Sequence, residues 1–361
     1  MTPPASTSQR YFWIDLTRAA AAIMVIILHA GSPYLTRPGR FPEIQENIIL
    51  YFESWVRVCV PLFFMISGFL FLKKEGSSLK KPLPKAIVPL LFYGSIAIVY
   101  NFLFKEIPIE KSINNLLFGK PFYHLWFFYT LIGIYIIFYF VKPRVLPGWR
   151  GAITVTAVMV LLGYGAESLL SQYAHRSSRI FMDGTFLNYL LYAFLGYYLA
   201  TAPAFKRPAW HWLIAAIALN TLLITVLTQM ATKSLGKYDP IFHLYQSPFV
   251  IVGSALTFLL FREIGSLLER SEIVRRVTSY IATYSLGIYG LHAFVLDYLR
   301  FSTPLSLFSQ HAILHILMMS AITLLISLFL ARVLAIFDTR GLIVTSQPRK
   351  IGRERQLKQS T

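Results

Sequence analysis

The sequence predicts an all-α integral membrane protein that crosses the bilayer about ten times. Of its 361 residues, 56% are hydrophobic and only 14% are charged, whereas a soluble domain usually carries about 25% charged residues. The mean hydropathy is +0.57. Lys and Arg outnumber Asp and Glu by 34 to 16, but the basic residues lie in short segments between apolar runs. That distribution favours orientation in a membrane over nucleic-acid binding.

Ten apolar segments follow one another along the chain, and each is close to the roughly 20 residues that a membrane-spanning helix requires. The sixth and eighth segments are short, and no connection is long enough to fold by itself. The segments cover residues 13–33, 47–72, 86–104, 122–141, 151–170, 185–201, 209–230, 246–261, 279–300 and 311–336.

The connections alternate in their content of basic residues. Those on the side of the N-terminus hold most of the Lys and Arg, for example Lys80 after the second segment and Arg275 after the eighth. The positive-inside rule therefore predicts that both termini are cytoplasmic. Residues 1–340 are predicted to form one membrane domain, and the polar, basic residues 341–361 a disordered tail on the cytoplasmic surface.

The first segment carries ionisable residues that are unusual in a cleaved signal peptide. Arg18 and His29 are eleven residues apart, which is about three helical turns, so both side chains project from nearly the same face, roughly 16 Å apart along the axis. Asp15 precedes Arg18 by one turn, within pairing distance. We interpret the segment as a retained helix whose ionisable groups face a cavity, a partner or a substrate path.

Three histidines are predicted to reach a similar depth from separate helices. His29 lies in the outer half of the first segment, His124 begins the fourth at its outer end near the interface, and His292 lies in the outer half of the ninth. A neutral imidazole accepts a proton near pH 7, which suits a general base. Packing against a neighbouring helix is the simpler interpretation. Zinc binding is a third interpretation. The three histidines form no HxxxH or HExxH motif, however, and no metal site is predicted.

The second segment holds a charged pair near its middle. Arg57 lies about ten residues into the segment, and Glu53 is one turn earlier, at a spacing that allows an ion pair. Either the pair is structural, or Arg57 faces a cavity and meets an anionic or carbonyl group. Further along, Ser67 and Gly68 allow the close approach of another helix or a ligand. Ser67 is interpreted as a packing residue, since no G-x-S-x-G elbow surrounds it.

Aromatic residues accompany two of the histidines. Tyr289 lies one turn before His292, and Ser285 shares that helix face. Trp126 follows His124 at the start of the fourth segment. An interfacial aromatic belt is one interpretation of Trp126, and stacking against a sugar is the other.

These motifs together resemble the membrane-bound acyltransferase-3 family. Its first-helix signature is Arg or Lys, ten residues and then His, often with an Asp three before the basic residue, as at Asp15, Arg18 and His29. VPLFFMISGFLF after Arg57, HLWFF from residue 124 and YSLGIYGLH up to residue 292 are similar to further family motifs. The resemblance extends over nearly the whole ten-segment region.

The resemblance implies a multi-pass enzyme of the bacterial inner membrane that uses cytoplasmic acetyl-CoA as a co-substrate and holds no bound cofactor. The implied acceptor is a hydroxyl group of an envelope polysaccharide or its lipid-linked precursor, most like the O-acetylation of enterobacterial common antigen. Membrane lipids and envelope-biosynthesis proteins are the other expected partners, and nucleic acid is not.

The resemblance also assigns roles to the residues singled out above. Catalysis is expected of His29 and His292. Donor binding or oxyanion stabilisation is expected of Asp15, Arg18, Arg57 and Tyr289. The acceptor side is expected at His124 and Trp126.

Two other function classes stay open at this point. A polysaccharide transporter or flippase is one, because paired charges at membrane depth are common in transporters. The chain has no matched half-repeats or paired interrupted segments of the kind that many transporters contain. A non-catalytic partner in an envelope complex is the other, and such a protein would tolerate substitution of Arg18, His29 and His292.

Overall fold

The structure is a computed structural model, and it describes residues 11–37, 39, 41–73, 78–118, 120–140, 148–174, 184–204, 209–302 and 311–345. Within these ranges the regular structure is helical, with no β-strand. The helices are α1 (Phe12–Leu35), α2 (Glu43–Val56), α3 (Cys59–Leu72), α4 (Pro84–Lys105), α5 (Ile109–Phe118), α6 (Trp126–Phe140), α7 (Trp149–Ala174), α8 (Gly184–Thr201), α9 (Trp210–Leu235), a 3-10 helix (Ile241–His243), α10 (Pro248–Leu268), α11 (Glu272–Ser302) and α12 (Ala312–Leu334).

Each of the ten predicted segments contains a helix of the structure. The apolar pattern does not predict α5, because its ten residues include Glu110 and Lys111 and are too few to cross a membrane. The pattern also misses the first seven residues of α11, which are mostly polar or charged. Hydrophobicity marks the part of a helix that lies in lipid, so polar extensions of a helix escape it.

Six helical stretches within the described residues are long and apolar enough to cross a membrane. They are Phe12–Leu35, Glu43–Leu72, Pro84–Lys105, Trp210–Leu235, Ile241–Leu268 and Ala312–Leu334. Trp126–Phe140, and Trp149–Leu162 within α7, are shorter apolar helical stretches. The all-helical fold class is confirmed, whereas ten spans and two cytoplasmic termini stay predictions.

A break divides the second predicted segment into α2 and α3. α2 ends at Val56, and α3 begins at Cys59. Pro61 explains the break, because proline has no N–H to donate to the carbonyl four residues earlier, at Arg57. Arg57 therefore lies at a helix junction, whereas the sequence pattern predicts one continuous helix there.

Helices α3 and α8 pack backbone against backbone. A Cβ atom on Gly68 would lie 2.0 Å from the carbonyl oxygen of Ala193, and one on Gly196 would lie 2.2 Å from that of Met65. Only glycine permits such an approach at either position. The close helix approach predicted at Ser67 and Gly68 is confirmed, and α8 is the helix that makes it.

Replacing Gly68 with Ala is expected to destabilise the protein strongly, because the added methyl group meets helix backbone. Overpacking of a core typically costs about 1–3 kcal/mol, and we expect the upper end of that range. The matched control is Gly133→Ala, whose Cβ would lie 2.8 Å from a carbon of the Phe186 ring, a side chain that can turn away. The Tm of both variants in one detergent measures the difference. Equal losses would contradict the backbone clash.

The segment after α12 folds back onto the helix bundle. The carboxylate of Asp338, which is 5% exposed, accepts hydrogen bonds of 2.8 to 3.4 Å from the backbone N–H groups of residues 342–345. The carbonyl of Val344 accepts one from Gly287 of α11 at 3.1 Å. Residues 341–345, which the sequence assigns to the tail, are therefore packed against the membrane domain. Residues 346–361 lie outside the described residues.

Candidate active site

The three histidines selected from the sequence meet in the protein interior. The His29 ring of α1 stacks on the His292 ring of α11 with centroids 5.4 Å apart, and the His124 ring lies 5.1 Å from His292. His292 is completely buried and His124 is 1% exposed. The prediction that His124 begins a helix near the interface is wrong in one respect, because α6 begins at Trp126 and His124 is buried in the turn before it.

Hydrogen bonds to backbone carbonyls fix the tautomers of two of these histidines. A carbonyl oxygen only accepts, so Nδ1 of His292 donates to the Tyr289 carbonyl at 2.6 Å, and its Nε2 carries the lone pair. Likewise Nε2 of His124 donates to the Gly290 carbonyl at 3.2 Å, and its Nδ1 carries the lone pair. Neither lone-pair nitrogen has a hydrogen-bond partner among the described residues. Two basic ring nitrogens thus keep unused acceptor capacity in the interior.

His29 differs from the other two histidines because part of its surface is exposed. Its ring centroid lies 4.9 Å from that of Tyr123, a residue that is 37% exposed. On the buried side, the hydroxyl of Tyr289 donates to the His124 carbonyl at 2.6 Å, so its single proton is engaged. A hydroxyl group that approaches from solvent would therefore reach His29 before either of the other histidines.

The charged pair predicted in the second segment is present. Nη2 of Arg57 lies 3.4 Å from Oε2 of Glu53, and the two side chains are 17% and 2% exposed. A Cβ on Gly31 would lie 2.1 Å from Oε1 of Glu53, so this carboxylate packs against α1 two residues beyond His29. Oε1 of Glu53 and Nε of Arg57 have no hydrogen-bond partner among the described residues. The pair is thus buried next to the histidine centre without being fully satisfied.

Arg300, near the C-terminal end of α11, is a residue that the sequence analysis misses. Its Nη2 donates a hydrogen bond to the backbone carbonyl of His29. Pro33 lies four residues after His29, inside α1. Because proline has no N–H, the pattern H-x-x-x-P is the sequence signal for a carbonyl that needs a donor from elsewhere.

Asp15 and Arg18 lie near the start of α1, away from the histidine centre. Eleven residues separate Arg18 from His29, about 16 Å along the helix axis. Arg18 is partly exposed and lies in the neighbourhood of Tyr135. Asp15 lines a cavity of about 330 Å³ between α1, the end of α10 and the start of α11. The other lining residues are Phe12, Glu269, Arg275, Arg276 and Ser279.

Trp126 is separated from the histidines, although it follows His124 closely in the sequence. Its ring centroid lies 5.0 Å from that of Tyr189, 6.4 Å from Phe64 and 6.5 Å from Tyr245. Trp126 is half-buried in this aromatic cluster. The two residues that the sequence assigns to the acceptor side therefore have different surroundings.

A second polar cluster, which the sequence analysis misses, lies beside α2. Nδ1 of His243 lies 2.7 Å from the Tyr238 hydroxyl, and its Nε2 lies 2.9 Å from Oγ of Ser54. Burial raises the pKa of the Tyr238 phenol, so the hydroxyl keeps its proton and donates it to Nδ1. Nε2 of His243 then donates to Ser54, whose own proton goes to the Leu50 carbonyl at 2.7 Å.

A cavity of about 350 Å³ opens beside this cluster, where α1 ends and α2 begins. Its wall includes Tyr34, Tyr238 and the amide groups of Asn47 and Gln229, which are joined by a hydrogen bond of 2.8 Å. A few polar groups set among aromatic side chains are typical of sites that orient a small polar ligand.

Metal ligation has one sequence signal outside the three histidines. His311 and His315 show the HxxxH spacing, but Nδ1 of His315 is hydrogen-bonded to the hydroxyl of Tyr34. Across the described ranges, no group of three or more His, Cys, Asp or Glu side chains is placed to hold a metal ion.

A helical bundle with several apolar helices and a buried histidine centre defines a membrane protein with a candidate acid–base site. The chain belongs to the acyltransferase-3 family, because the acyltransferase domain of that family matches residues 11–332. The match includes every candidate site residue named above. The family resemblance predicted from the four sequence motifs is confirmed.

The chain is also similar to individual proteins of known name. YfiQ of Bacillus subtilis (strain 168), named as a candidate membrane-bound acyltransferase, is 22% identical over 308 residues, which is 78% of this chain and 80% of that protein. An amino-acid racemase of Enterococcus faecalis is 28% identical over 170 residues, 45% of this chain and 22% of that protein. A serine/alanine racemase of Enterococcus gallinarum is 26% identical over 167 residues, which is 43% of this chain and 23% of that protein. The chain thus matches less than a quarter of each racemase.

Proposed function

We propose that this chain is a membrane O-acyltransferase that moves an acetyl group from acetyl-CoA to a hydroxyl group of a cell-envelope polysaccharide or its lipid-linked precursor. The observation that carries the proposal is the meeting of His29, His124 and His292 inside the family's acyltransferase domain. Acylation of a hydroxyl requires a base that the substrate can reach and a group that stabilises negative charge. His29 and Arg57 are the candidates for these two roles.

In the proposed reaction His29 acts as the general base. Its ring takes the proton of the acceptor hydroxyl while the oxygen attacks the thioester carbonyl. The C–O bond forms, the C–S bond breaks, and the departing CoA thiolate recovers the proton. His292 stacks on His29 with an unused Nε2 lone pair and is the second catalytic candidate. A route through an acetyl group on His29 itself requires the same arrangement.

Negative charge develops on the thioester oxygen during attack, and Arg57 is the preferred group to stabilise it. Its side chain is 17% exposed, and its Nε has no partner among the described residues. Tyr289 is the weaker candidate, because its hydroxyl proton is already donated to the His124 carbonyl.

The donor is proposed to bind at the Arg18 end of α1. Arginine suits phosphate groups, and Arg275 and Arg276 line the neighbouring cavity together with Asp15. If both termini are cytoplasmic, this end faces the pool of acetyl-CoA. An extended pantetheine arm then carries the thioester along α1 to His29, about 16 Å away.

The acceptor is proposed to approach from the opposite end of α1. The cavity lined by Tyr34 and Tyr238 lies there, five residues beyond His29 on the same helix. Its phenol and amide groups suit a sugar hydroxyl. An envelope glycan of the enterobacterial common antigen type, presented at the bacterial inner membrane by other envelope-biosynthesis proteins, fits this arrangement.

Transfer of labelled acetyl from acetyl-CoA by the purified protein in lipid vesicles tests the proposal. We expect label on a lipid-linked glycan, and we expect Arg18→Ala to raise the KM for acetyl-CoA by about tenfold or more, because a hydrogen bond to a charged group is lost. Arg150→Ala, at an exposed position on α7, is the control. If the wild type neither binds acetyl-CoA nor transfers label to any of several glycan lipids, the proposal fails and the transporter alternative is favoured.

A further inference from the structure

We propose that Arg300 is a positioning residue for His29, and that it acts through the backbone carbonyl that Pro33 deprives of its helical donor. The inference rests on the proposed role of His29 as the general base. It concerns two residues outside the histidine centre, one on α1 and one on α11.

Pro33 creates the need for this contact. In an α-helix the N–H of residue 33 donates to the carbonyl of residue 29. Pro33 has no N–H, and its ring crowds that carbonyl. α1 nevertheless continues to Leu35, so the His29 carbonyl requires a donor from another element. At membrane depth the expected donor is another protein group, because an unsatisfied backbone carbonyl is costly there.

Arg300 meets that need through its Nη2. The neighbouring carboxylate on α11, Asp297, is engaged by Lys105 at 3.0 Å and by the Tyr100 hydroxyl at 2.9 Å. The guanidinium of Arg300 reaches the His29 carbonyl instead. A charged donor gives a stronger hydrogen bond to a carbonyl than the missing amide would.

The direction of the two helices lets α11 hold His29 at two points. Asp15 shares a cavity with Ser279, whereas His29 meets His292, so α1 and α11 run in the same direction. Helical side chains tilt toward the N-terminus and carbonyls point toward the C-terminus. The ring of His29 therefore meets α11 at His292, and its carbonyl meets the side chain of Arg300, which reaches back from further along. Holding both ends of one residue fixes the height and the orientation of its ring.

A double-variant cycle tests this inference. Arg300→Gln removes the charged donor, Pro33→Ala restores the helical N–H, and the double variant carries both changes. Each protein is purified in the same detergent, and its Tm and its kcat and KM for acetyl transfer are measured. We expect Arg300→Gln to lower kcat about tenfold or more through misplacement of His29, with the KM for acetyl-CoA unchanged, and to lower Tm by a few degrees. Both losses should be much smaller in the protein that also carries Pro33→Ala.

Lys105→Gln is the matched control, because it removes a cation from the same region without touching His29. Equal losses from Arg300→Gln in the wild-type and Pro33→Ala backgrounds would overturn the inference, and so would a KM effect that persists in both. Arg300→Lys, which keeps a donor on a shorter stem, replaces the Gln variant if that protein does not fold. Coupling in Tm without acetyl transfer by the wild type would uphold the contact and refute the proposed function. Acetyl transfer by the wild type without coupling between the two variants would support the proposed function and refute the role of Arg300.

Discussion

Replacing His29 with Ala is expected to lower kcat for acetyl transfer by about 10²- to 10⁴-fold, the usual contribution of a general base. The loss follows from the position of His29, which is the one member of the histidine centre with an exposed surface and so the first that an acceptor hydroxyl meets. The KM for acetyl-CoA should change little, since the proposed donor site lies about 16 Å away along α1. Steady-state transfer in lipid vesicles and calorimetric binding of acetyl-CoA measure the two effects separately.

The control for this variant is His211→Ala, which removes an exposed histidine on α9 and should leave both parameters unchanged. A His29→Ala protein that loses acetyl-CoA binding but retains normal turnover at saturating donor would contradict the catalytic assignment. His292→Ala should also lower kcat, because His292 stacks on His29.

Replacing Arg57 with Ala is expected to destabilise the protein by about 3–5 kcal/mol, the usual effect of leaving one partner of a buried ion pair alone. Glu53 is 2% exposed, and its Oε1 already lacks a hydrogen-bond partner among the described residues, so its carboxylate would have no compensation. Denaturation midpoints of the two proteins in the same detergent measure the change. The acetyl-transfer rate should also fall, because the proposed oxyanion donor is lost.

A second change separates these two effects of Arg57. Adding Glu53→Gln to the Arg57→Ala variant removes the stranded charge, so most of the stability should return while kcat stays low. The comparison is Arg276→Ala, which breaks a pair whose side chains are 75% and 60% exposed and should cost less than about 1 kcal/mol. Recovery of both stability and turnover in the double variant would show that Arg57 has only a structural role.

The helices of this protein could be predicted because lipid imposes a simple rule on sequence. Segments must be apolar over about 20 residues, and each of the ten that satisfy this rule contains a helix. The matching levels of His29 and His292 could be predicted too, since helical rise is constant, and their rings do stack. The contact between these histidines could not be predicted. It depends on which helices are neighbours, and that depends on contacts between residues far apart in the chain.

Other parts of the candidate site escaped prediction for the same reason. Arg300 bonds a carbonyl 271 positions away, and His243 bonds a serine 189 positions away. A proline four residues after a candidate site residue was the available local signal. It occurs at His29 with Pro33 and at Arg57 with Pro61, and in both places the helix backbone is released from its regular pairing.

The close approach of α3 and α8 at their glycines restricts the motion of these two helices relative to each other. The two helix backbones are in direct contact at Gly68 and Gly196 and cannot slide past each other without a clash. α3 and α8 therefore form one rigid unit. α2 is joined to this pair across the break at Arg57 and Val58. It is held against α1 where Glu53 packs on Gly31, and against α9 by the hydrogen bond between Asn47 and Gln229. The cavity between α1, α2 and α9 is therefore bounded by helices that are fixed to one another.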